Sequence, residues 1–358
     1  RPRFMLTYTI RRLILSVPVL LFIALIIFLL LQLAPGDPMA QVPLTVPPEV
    51  KQKMREALGL GAPWYVQFWK WLVQMFWIEP MVFIDWLTNH SSLLGWLPDT
   101  DFYTPCGPAV DGPCDLRVIS WQTRSPVMDI IIQRMPQTLW VVGLAYVVAF
   151  FIAIPIGIYS AYKQYSAFDQ AGTFITMIGF SVPPFFTGPL LIVIFSVYLG
   201  WFPSIYDTTH VVNDWDSFVV QLKQMIMPVM VLALQVTAQI SRFMRASMLD
   251  NLKQDYVRTA RAKGLPERVV LLVHVLRNSM IAVVTVVALA IPGIFGGSII
   301  TERVFKVNGI GDALIGALFA SDMPMVMTLT FIFAFLIVMA NIIADVLYGV
   351  LDPRIRYD

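Results

Sequence analysis

Charged side chains are scarce in this sequence. Lys, Arg, Asp and Glu together make up 13% of its 358 residues, whereas hydrophobic residues make up 58%. With a mean hydropathy of +0.72, the chain is too apolar and too poor in charge to form only a water-soluble core. The composition therefore excludes an ordinary soluble domain and predicts a membrane protein.

Nucleotide-binding and catalytic motifs are absent as well. The sequence contains no GxxxxGK[ST] loop to cradle nucleotide phosphates, so any ATPase must be another chain. It also contains no GxSxG nucleophile motif. Its three histidines, His90, His210 and His274, lie far apart and have no metal-ligand neighbour at a useful spacing. We therefore expect no catalytic residue and no metal site, and we expect the histidines to be surface or packing residues.

Six long apolar segments are present instead. A helix needs roughly 20 mostly apolar residues to cross a bilayer, because the hydrocarbon holds no water to bond an exposed amide. The segments are 13–33, 138–159, 173–199, 225–240, 279–300 and 326–349. The fourth is short and Pro183-Pro184 could divide the third, so five or seven spans are the alternatives to six. Asp345 is the only ionisable candidate within the spans, which makes ion-coupled transport a weak hypothesis.

The distribution of Lys and Arg predicts which side each loop faces. With both termini in the cytoplasm, the inner segments hold 15 of these residues and the short outer loops hold only Lys223, Arg303 and Lys306. The positive-inside rule applies only to short loops, so the Lys and Arg residues of the long first outer loop are not counted. Both termini are therefore predicted to be cytoplasmic. We do not expect the first span to be a cleaved signal peptide, because its apolar run is too long and no small-x-small cleavage pattern follows it.

The largest segment outside the predicted spans is residues 35–135, an extracytoplasmic loop domain on this topology. A first helix is expected at about 49–58, ended by Gly59 and Gly61. Pro63 is expected to open a second helix, whose aromatic residues are Trp64, Tyr65, Phe68, Trp69, Trp71, Phe76 and Trp77. Such rings suit the headgroup layer, so we favour an interfacial or packing helix over a contact surface for an extracytoplasmic partner.

Only two cysteines occur, Cys106 and Cys114, in the segment PCGPAVDGPC. On the predicted topology both face an oxidising compartment, and the Gly and Pro residues between them favour turns that bring the sulfurs together. We therefore predict a disulfide that clips a loop with little core of its own. Labelling of free thiols in unreduced protein should then fail at both positions, and strong labelling would remove the prediction.

The stretch RTARAKGLPERVVLLVHVLRN, residues 258–278, places five basic residues between two apolar runs. Residues 255–263 favour a helix, Gly264 can adopt a left-handed cap, and residues 265–267 restart a helix with proline in its first turn. The pattern predicts two short helices at an angle on the cytoplasmic face. An ordinary positively charged loop is the alternative, but the ordered Gly-Pro break favours a rigid docking element. The apolar ridge expected to enter a groove on another protein is Ala260, Ala262 and Leu265.

At these residues the sequence is similar to a known family. DYVRTARAKGLPERVVLLVHVLRN resembles the cytoplasmic "EAA" loop of permease subunits from binding-protein-dependent ABC importers, in the variant of oligopeptide and dipeptide systems. The resemblance covers nearly the whole chain and is to the first of the two paired permeases. The other motifs that carry it are IRR, LAPGDP, SPVMDIIIQRMPQTL, SVPPFF, TERVFKVNGIGDALIGAL, SDMP and LDPRIR.

Two departures from the family pattern stand out. Arg258-Thr259-Ala260 occupies the positions of Glu-Ala-Ala in the general loop pattern, a substitution typical of the peptide branch. Residues 79–118, which include both cysteines, look like an insertion relative to shorter relatives.

The resemblance implies a fold. We expect an all-α polytopic membrane protein with six transmembrane helices of the ABC importer type I permease fold, in the bacterial inner membrane. Residues 1–34 would form the cytoplasmic N-terminus and span one, and residues 35–135 the extracytoplasmic loop domain. Residues 136–358 would form the permease core, with a cytoplasmic coupling loop at 250–277.

The resemblance also implies partners. They are a second homologous permease, two cytoplasmic ATPases that bind ATP and Mg, and an extracytoplasmic receptor that delivers peptides. No nucleic acid and no cofactor is expected on this chain. The coupling residues carried over are Tyr256, Arg258, Thr259, Ala260, Arg261, Ala262, Lys263, Gly264, Leu265 and Pro266. They would insert into one ATPase, whose closure would switch the spans from inward-facing to outward-facing.

Translocation is expected to use residues that interrupt regular helix, or that allow close backbone approach, together with two glutamines. The candidates are Pro155, Ser181, Pro183, Pro184, Gln235, Gln239, Gly293 and Gly297. Packing is the alternative role of the prolines and glycines. For the two glutamines, four residues apart on one face, we favour hydrogen bonds between helices. We expect a wide, weakly selective, water-filled path, with selectivity chiefly in the external receptor.

The function that follows is that of a permease subunit importing peptides, with a modified peptide or a sugar-linked conjugate as the alternative cargo. An intramembrane enzyme would need clustered catalytic carboxylates, histidines or serines at membrane depth, which the spans do not contain. A channel or receptor scaffold would be favoured only if the protein purified without ATPase partners and conducted unaided.

Overall fold

The computed structural model describes residues 2–33, 49, 61–82 and 117–351. These residues are mostly helical, and the one extended pairing among them is an antiparallel bridge between Ile119 and Pro126. The predicted helix at 49–58, apart from Glu49, lies outside the described residues. So does the predicted disulfide between Cys106 and Cys114.

The described residues form a series of α-helices along the chain. In chain order they are α1 (Pro2–Leu33), α2 (Trp64–Val73), α3 (Val127–Tyr162), α4 (Ala167–Ser181), α5 (Pro184–Leu191), α6 (Trp215–Leu252), α7 (Asp255–Ala262), α8 (Glu267–Val269), α9 (Leu276–Phe305), α10 (Ile310–Phe319) and α11 (Met323–Leu351). Wider π-helical turns extend three of them, and these turns are Gln74–Ile78 after α2, Ile192–Tyr198 after α5 and Val270–Val275 after α8. The chain is therefore an all-α membrane protein, as its composition predicts.

Each of the six apolar segments lies on a helix or a helix pair. Within the described ranges, the continuous helices long and apolar enough to cross a membrane are Thr9–Leu33, Val127–Tyr162, Trp215–Leu252 and Met323–Ile343. The third segment consists of two helices, Ala167–Ser181 and Pro184–Tyr198, bent by 105° at the break. Proline disfavours helix in the residue before it, which explains the division at Pro183-Pro184. The fifth segment lies within α9, a single helix of 30 residues.

The fourth segment belongs to a much longer helix than its apolar run suggests. The apolar residues end near Arg242, but α6 has 38 residues in all. Backbone hydrogen bonds continue where apolar side chains stop, and Asp214 caps the first turn by accepting a hydrogen bond from the Ser217 N–H at 2.8 Å. At 1.5 Å per residue α6 is about 57 Å long, nearly twice the thickness of the hydrocarbon layer.

The chain forms two compact units. The first comprises Arg1–Ser16, Pro136–Asp312 and Leu336–Asp358, and the second comprises Val17–Met135 and Ala313–Phe335. In the first unit, α3 and α6 approach to backbone distance at Gly157, where an added Cβ would lie 2.6 Å from the Cβ of Met244. This glycine therefore serves close packing of the two helices.

The aromatic helix α2 belongs to the second unit and packs on α11. The Trp71 indole N–H donates a hydrogen bond to the Thr328 hydroxyl at 3.2 Å, and the Trp71 and Phe331 rings meet edge to face at 5.4 Å. Trp71 and Met75 are buried, whereas the rings of Trp64, Trp69 and Trp77 are exposed. These contacts confirm a packing role for one face of α2.

An ion pair joins the two ends of the apparent insertion at 79–118. The Arg117 guanidinium contacts the buried Glu79 carboxylate at 2.9 Å and the Asp129 carboxylate at 2.8 Å. A buried carboxylate is retained only where a partner compensates its lost hydration. The two ends of the apparent insertion, at Glu79 and Arg117, therefore lie side by side in the second unit.

The SDMP motif anchors the loop at 120–122 through one buried carboxylate. Asp322 accepts hydrogen bonds from the Trp121 N–H at 3.1 Å, the Gln122 N–H at 3.2 Å and the Ser120 hydroxyl. It also accepts one from the Met325 N–H at 3.3 Å, which caps the first turn of α11. The Asp322 side chain therefore holds the loop at 120–122 and caps the N-terminus of α11 at the same time.

We predict that Asp322→Ala destabilises the protein by roughly 1–3 kcal/mol, because it leaves several buried donors without an acceptor. The measurement is the Tm of the purified protein in detergent, which should fall. Asp216→Ala is the matched control, since Asp216 is an exposed carboxylate in the first turn of α6. Equal effects of the two substitutions would contradict the anchoring role of Asp322.

Candidate functional site

The basic stretch folds as a sharp turn between two helices, which we call the elbow (residues 255–267). Gly264 at its corner has φ +74°, so the predicted left-handed cap is confirmed. The Gly264 N–H donates to the Arg261 carbonyl at 2.9 Å, and the Leu265 N–H donates to the Ala260 carbonyl at 3.3 Å. This pair of bonds is the Schellman motif, which satisfies the last carbonyls of a helix while the chain reverses.

The inner side of the elbow is apolar and buried. Val257 and Ala260 are 0% and 5% exposed and pack in a cluster with Met248 and Val270. The predicted ridge is therefore wrong for Ala260, whose side chain faces the core of this protein. Residues three apart share one face of a helix, so 257 and 260 both point at the same neighbours. Ala260 therefore packs the elbow against the core of this protein and is not part of a surface that a partner could contact.

The outer side of the elbow is exposed and mostly polar or positively charged. The other predicted coupling residues all lie there, namely Tyr256, Arg258, Thr259, Arg261, Ala262, Lys263, Gly264, Leu265 and Pro266. Tyr256 and Leu265 are the larger apolar groups among them, and the Tyr256 hydroxyl is fixed by a hydrogen bond to the Asn251 Oδ1 at 2.8 Å. A helix that presents apolar groups among cations matches what a groove on another protein can receive.

An ion pair closes the elbow from the outside. The Arg261 Nη2 contacts the Glu267 Oε1 at 2.6 Å, and its Nε donates to the Oε2 at 3.2 Å. Hydrogen bonding to Glu267 raises the pKa of Arg261 above its usual value. The two side chains are 47% and 36% exposed, so the pair contributes at most about 1 kcal/mol. Sequence reasoning missed this contact, since six residues is not a helical spacing and only the turn at Gly264 brings them together.

We predict that Glu267→Gln speeds exchange of the hydrogen-bonded amides of Gly264 and Leu265 about two- to fivefold, because the elbow opens more easily without its ion pair. Hydrogen exchange read by mass spectrometry measures the effect. Asp255→Asn is the control, because Asp255 meets Arg258 only at 3.6 Å with both side chains 79% or more exposed. An unchanged exchange rate in Glu267→Gln would contradict a stiffening role.

A second ion pair holds the first turn of α4 against α6. Arg245 binds Asp169 through two hydrogen bonds of 2.6 and 2.7 Å, and the Asp169 side chain is almost fully buried. The same carboxylate accepts a hydrogen bond from the Tyr165 N–H at 2.9 Å. Ser247 and Ser279 exchange hydroxyl-to-carbonyl bonds of 3.1 and 3.3 Å between α6 and α9. The helices that carry the elbow are thus tied to their neighbours by polar contacts.

The predicted translocation residues lie on α3, α4, α5, α6 and α9 and at the break between α4 and α5. Pro155, Ser181 and Pro183 are exposed, and Pro184 begins α5. Gly293 and Gly297 lie within α9. Gln235 and Gln239 are partly buried, and neither side chain makes a hydrogen bond to a described residue, so the favoured bonds between helices are not formed within the described part of the chain. Their role in a path stays a prediction.

Asp345, the one ionisable candidate in the spans, has a basic partner. Its carboxylate contacts the Arg12 Nη1 at 2.8 Å within the first unit. The described residues contain no group of three or more His, Cys, Asp or Glu side chains that could hold a metal ion. An ion pair between two helices accounts for Asp345 without invoking ion coupling.

A buried carboxylate that the sequence reasoning passed over explains the motif TERVFKVNGIGDALIGAL. Glu302 is fully buried and accepts a hydrogen bond from the Thr138 hydroxyl at 2.7 Å and one from the Asp312 N–H at 3.0 Å. The Thr138 hydroxyl in turn accepts one from the Ile310 N–H at 2.9 Å. A negative charge beside the first N–H groups of α10 is favourable. A Cβ at Gly309 would overlap this carboxylate, so its place requires glycine.

Comparison with known proteins assigns the chain to a family. The family described as "Binding-protein-dependent transport system inner membrane component" matches residues 153–357, and its N-terminal counterpart matches residues 5–85. An oligopeptide transport system permease protein of Bacillus subtilis is 36% identical, over 99% of this chain and 100% of its own length. A putative peptide transport system permease protein of Brucella abortus is 33% identical, over 96% of both chains.

A glutathione transport system permease protein of Escherichia coli K12 is 34% identical, over 99% of this chain and 100% of its own. The similarity therefore covers both units and the elbow and is not confined to one motif. The chain is a multi-pass membrane protein and belongs to the family of inner membrane components of binding-protein-dependent transport systems, the permeases of ABC importers.

Proposed function

We propose that this chain is a permease subunit of an ATP-driven importer that moves peptides across the bacterial inner membrane. The observation that carries the proposal is the elbow, with its left-handed corner at Gly264, its buried inner side and its exposed cationic outer side. A stiff projection is needed because a motor can shift a conformational equilibrium only through contacts that differ between the two states.

The elbow would seat in a groove of a separate cytoplasmic ATPase. Two such subunits would bind ATP and Mg, a second homologous permease would complete the path, and an extracytoplasmic receptor would deliver the cargo. This chain would hold no cofactor and catalyse no reaction. Both termini and the elbow would face the cytoplasm, in keeping with the surplus of Lys and Arg in the segments assigned to that side.

Peptides are the proposed cargo because the relatives at 36% and 33% identity are named as oligopeptide and peptide permeases. Glutathione is the second candidate, since a relative at 34% identity is named as a glutathione permease. Glutathione is itself a modified peptide, so both candidates share free carboxylates and an amine. A sugar-linked conjugate remains the further alternative.

The test is purification of the intact complex from its native membrane, with mass spectrometry of its subunits and of the cargo on its receptor. We expect two ATPase subunits, a second permease and a bound peptide. The same complex in proteoliposomes should take up that peptide only with ATP. Uptake without ATP, or a chain that purifies without any ATPase, would contradict the proposal and favour a channel or scaffold.

A further inference from the structure

Arg242 is a cation on α6 without a carboxylate partner among the described residues. Its guanidinium lies over the Phe180 ring, 4.5 Å from the centroid, and its Nε donates to the Ala238 carbonyl at 3.3 Å. By contrast, the neighbouring Arg245 is fully engaged by a buried carboxylate at 2.6 Å. An aromatic face orients a guanidinium without neutralising it, so the charge and the other N–H groups of Arg242 stay available.

Arg242 lies one turn before Arg245, whose partner Asp169 is in the first turn of α4, and its guanidinium reaches from there to the ring of Phe180 near the end of α4. Phe180 is 14 residues after the Ser166 cap of α4, which corresponds to about 21 Å along the helix axis. It lies three residues before Pro183, where α4 gives way to α5 at an angle of 105°. Charged residues at membrane depth face water or protein and mark substrate paths, and broken helices line such sites in transporters.

Two polar side chains continue the same face of α6. Gln235, Gln239 and Arg242 follow a spacing of four and three residues, which aligns them along one side of a helix. Both glutamines are partly buried, and their side chains make no hydrogen bond to any residue that the structure describes. The face therefore offers two side-chain amides without a hydrogen-bond partner, and one positive charge without a carboxylate partner, among the described residues.

We propose that Arg242 is a cargo-binding residue of the translocation path and that it takes the carboxylate of the passing peptide. Gln239 and Gln235 extend this polar face along α6. The proposal rests on the proposed function of the chain as a peptide permease. A guanidinium binds a carboxylate selectively through two parallel hydrogen bonds. One such pair is also weak enough to release the cargo again.

The experiment compares two peptides of one sequence that lacks acidic side chains, one with a free C-terminal carboxylate and one with a C-terminal amide. ATP-driven uptake of both is measured in proteoliposomes with the complete complex and its receptor. Arg242→Gln should lower uptake of the free-acid peptide roughly tenfold, because a charge-assisted hydrogen bond is lost. Uptake of the amide should change less than twofold. The receptor is the same in every sample, so its own preference cancels from the ratio.

Two further variants sharpen the comparison. Phe180→Leu should weaken uptake of the free-acid peptide selectively but less than Arg242→Gln does, because the guanidinium stays in place and loses only its contact with the aromatic ring. Lys223→Gln removes another exposed cation from α6 and should leave both peptides unaffected. If Arg242→Gln fails to assemble, Arg242→Lys keeps the charge but not the planar fork, and its selective loss of the free-acid peptide is the expected result.

Equal loss for both peptides, or no loss for either, would overturn the assignment of Arg242. A loss that disappears in vesicles without anionic lipid would show that the guanidinium binds an anionic lipid headgroup, which also overturns the assignment. Failure of the proposed function has a different signature, since the unmutated complex would then show no ATP-driven uptake of either peptide.

Discussion

Gly264→Val is expected to reduce ATP-driven peptide uptake by about 5- to 150-fold while the protein still inserts into the membrane. Gly264 has φ +74°, and no atom lies within 4 Å of an added Cβ, so the first side-chain carbon of valine meets no neighbour. The expected cost is backbone strain of order 1–3 kcal/mol, which either stores energy in the elbow or redirects α8. Uptake in proteoliposomes and recovery of the ATPase with the purified permease measure the effect.

Two variants separate the backbone requirement from other causes. Gly264→Asn should keep most of the uptake, because asparagine tolerates the left-handed region better than valine does. Gly200→Val introduces the same strain at φ +63°, again with no atom within 4 Å, but in the loop after α5. It should leave coupling intact. Full uptake by Gly264→Val, or equal losses in both valine variants, would count against a coupling role for the elbow.

Gly311→Ala is expected to destabilise the protein by roughly 1–3 kcal/mol through overpacking. An added Cβ would lie 2.7 Å from the Cα of Ile299 and 2.8 Å from the Oε2 of Glu302. The first is backbone, and the second belongs to a buried carboxylate held by Thr138 and the Asp312 N–H, so neither can move away freely. A fall in Tm, or a smaller yield of folded protein, is the expected result.

Gly316→Ala is the matched control, because it makes the same substitution in the same helix, α10, with no atom within 4 Å of the new Cβ. Alanine in a helix interior is favoured over glycine by about 1 kcal/mol. The two substitutions should therefore change the Tm in opposite directions. A loss of similar size in both would mean that helix α10 tolerates no side chain for reasons unrelated to Glu302.

The elbow was the part of the candidate site most accessible from sequence. A glycine followed by Leu-Pro-Glu indicates where the helix must end and restart, because these effects depend on residues a few positions apart. The outward face of the elbow was less accessible. The sequence suggested a ridge that included Ala260, but α7 buries Ala260 against the cluster around Met248 and Val270. Helical phase relative to a neighbour is set by packing, and a short helix of small and charged residues gives little sign of it.

The buried ion pairs and carboxylates could not be predicted from the sequence, for a related reason. Counting ionisable groups in apolar segments found Asp345 alone, whereas Asp169 and Glu302 lie just beyond the segment ends. Their partners are 76 residues away at Arg245 and 164 residues away at Thr138. Capping patterns such as Ser166-x-x-Asp169 were the available signal, and they indicate a helix start but not a distant partner.

The sequence by itself determined that this chain is a membrane protein. It also determined the positions of the apolar helices, the break in one of them at Pro183 and the reversal of the chain at Gly264. These features follow from composition and from local backbone sterics, which need no knowledge of the rest of the molecule. Only the tertiary structure decided that Ala260 faces inward, that Asp169 and Glu302 find their donors, and that Arg242 lies over Phe180 with no carboxylate partner in the described part of the chain. Those outcomes depend on which helices pack together, and contacts between residues far apart in the chain are fixed only when the whole chain folds.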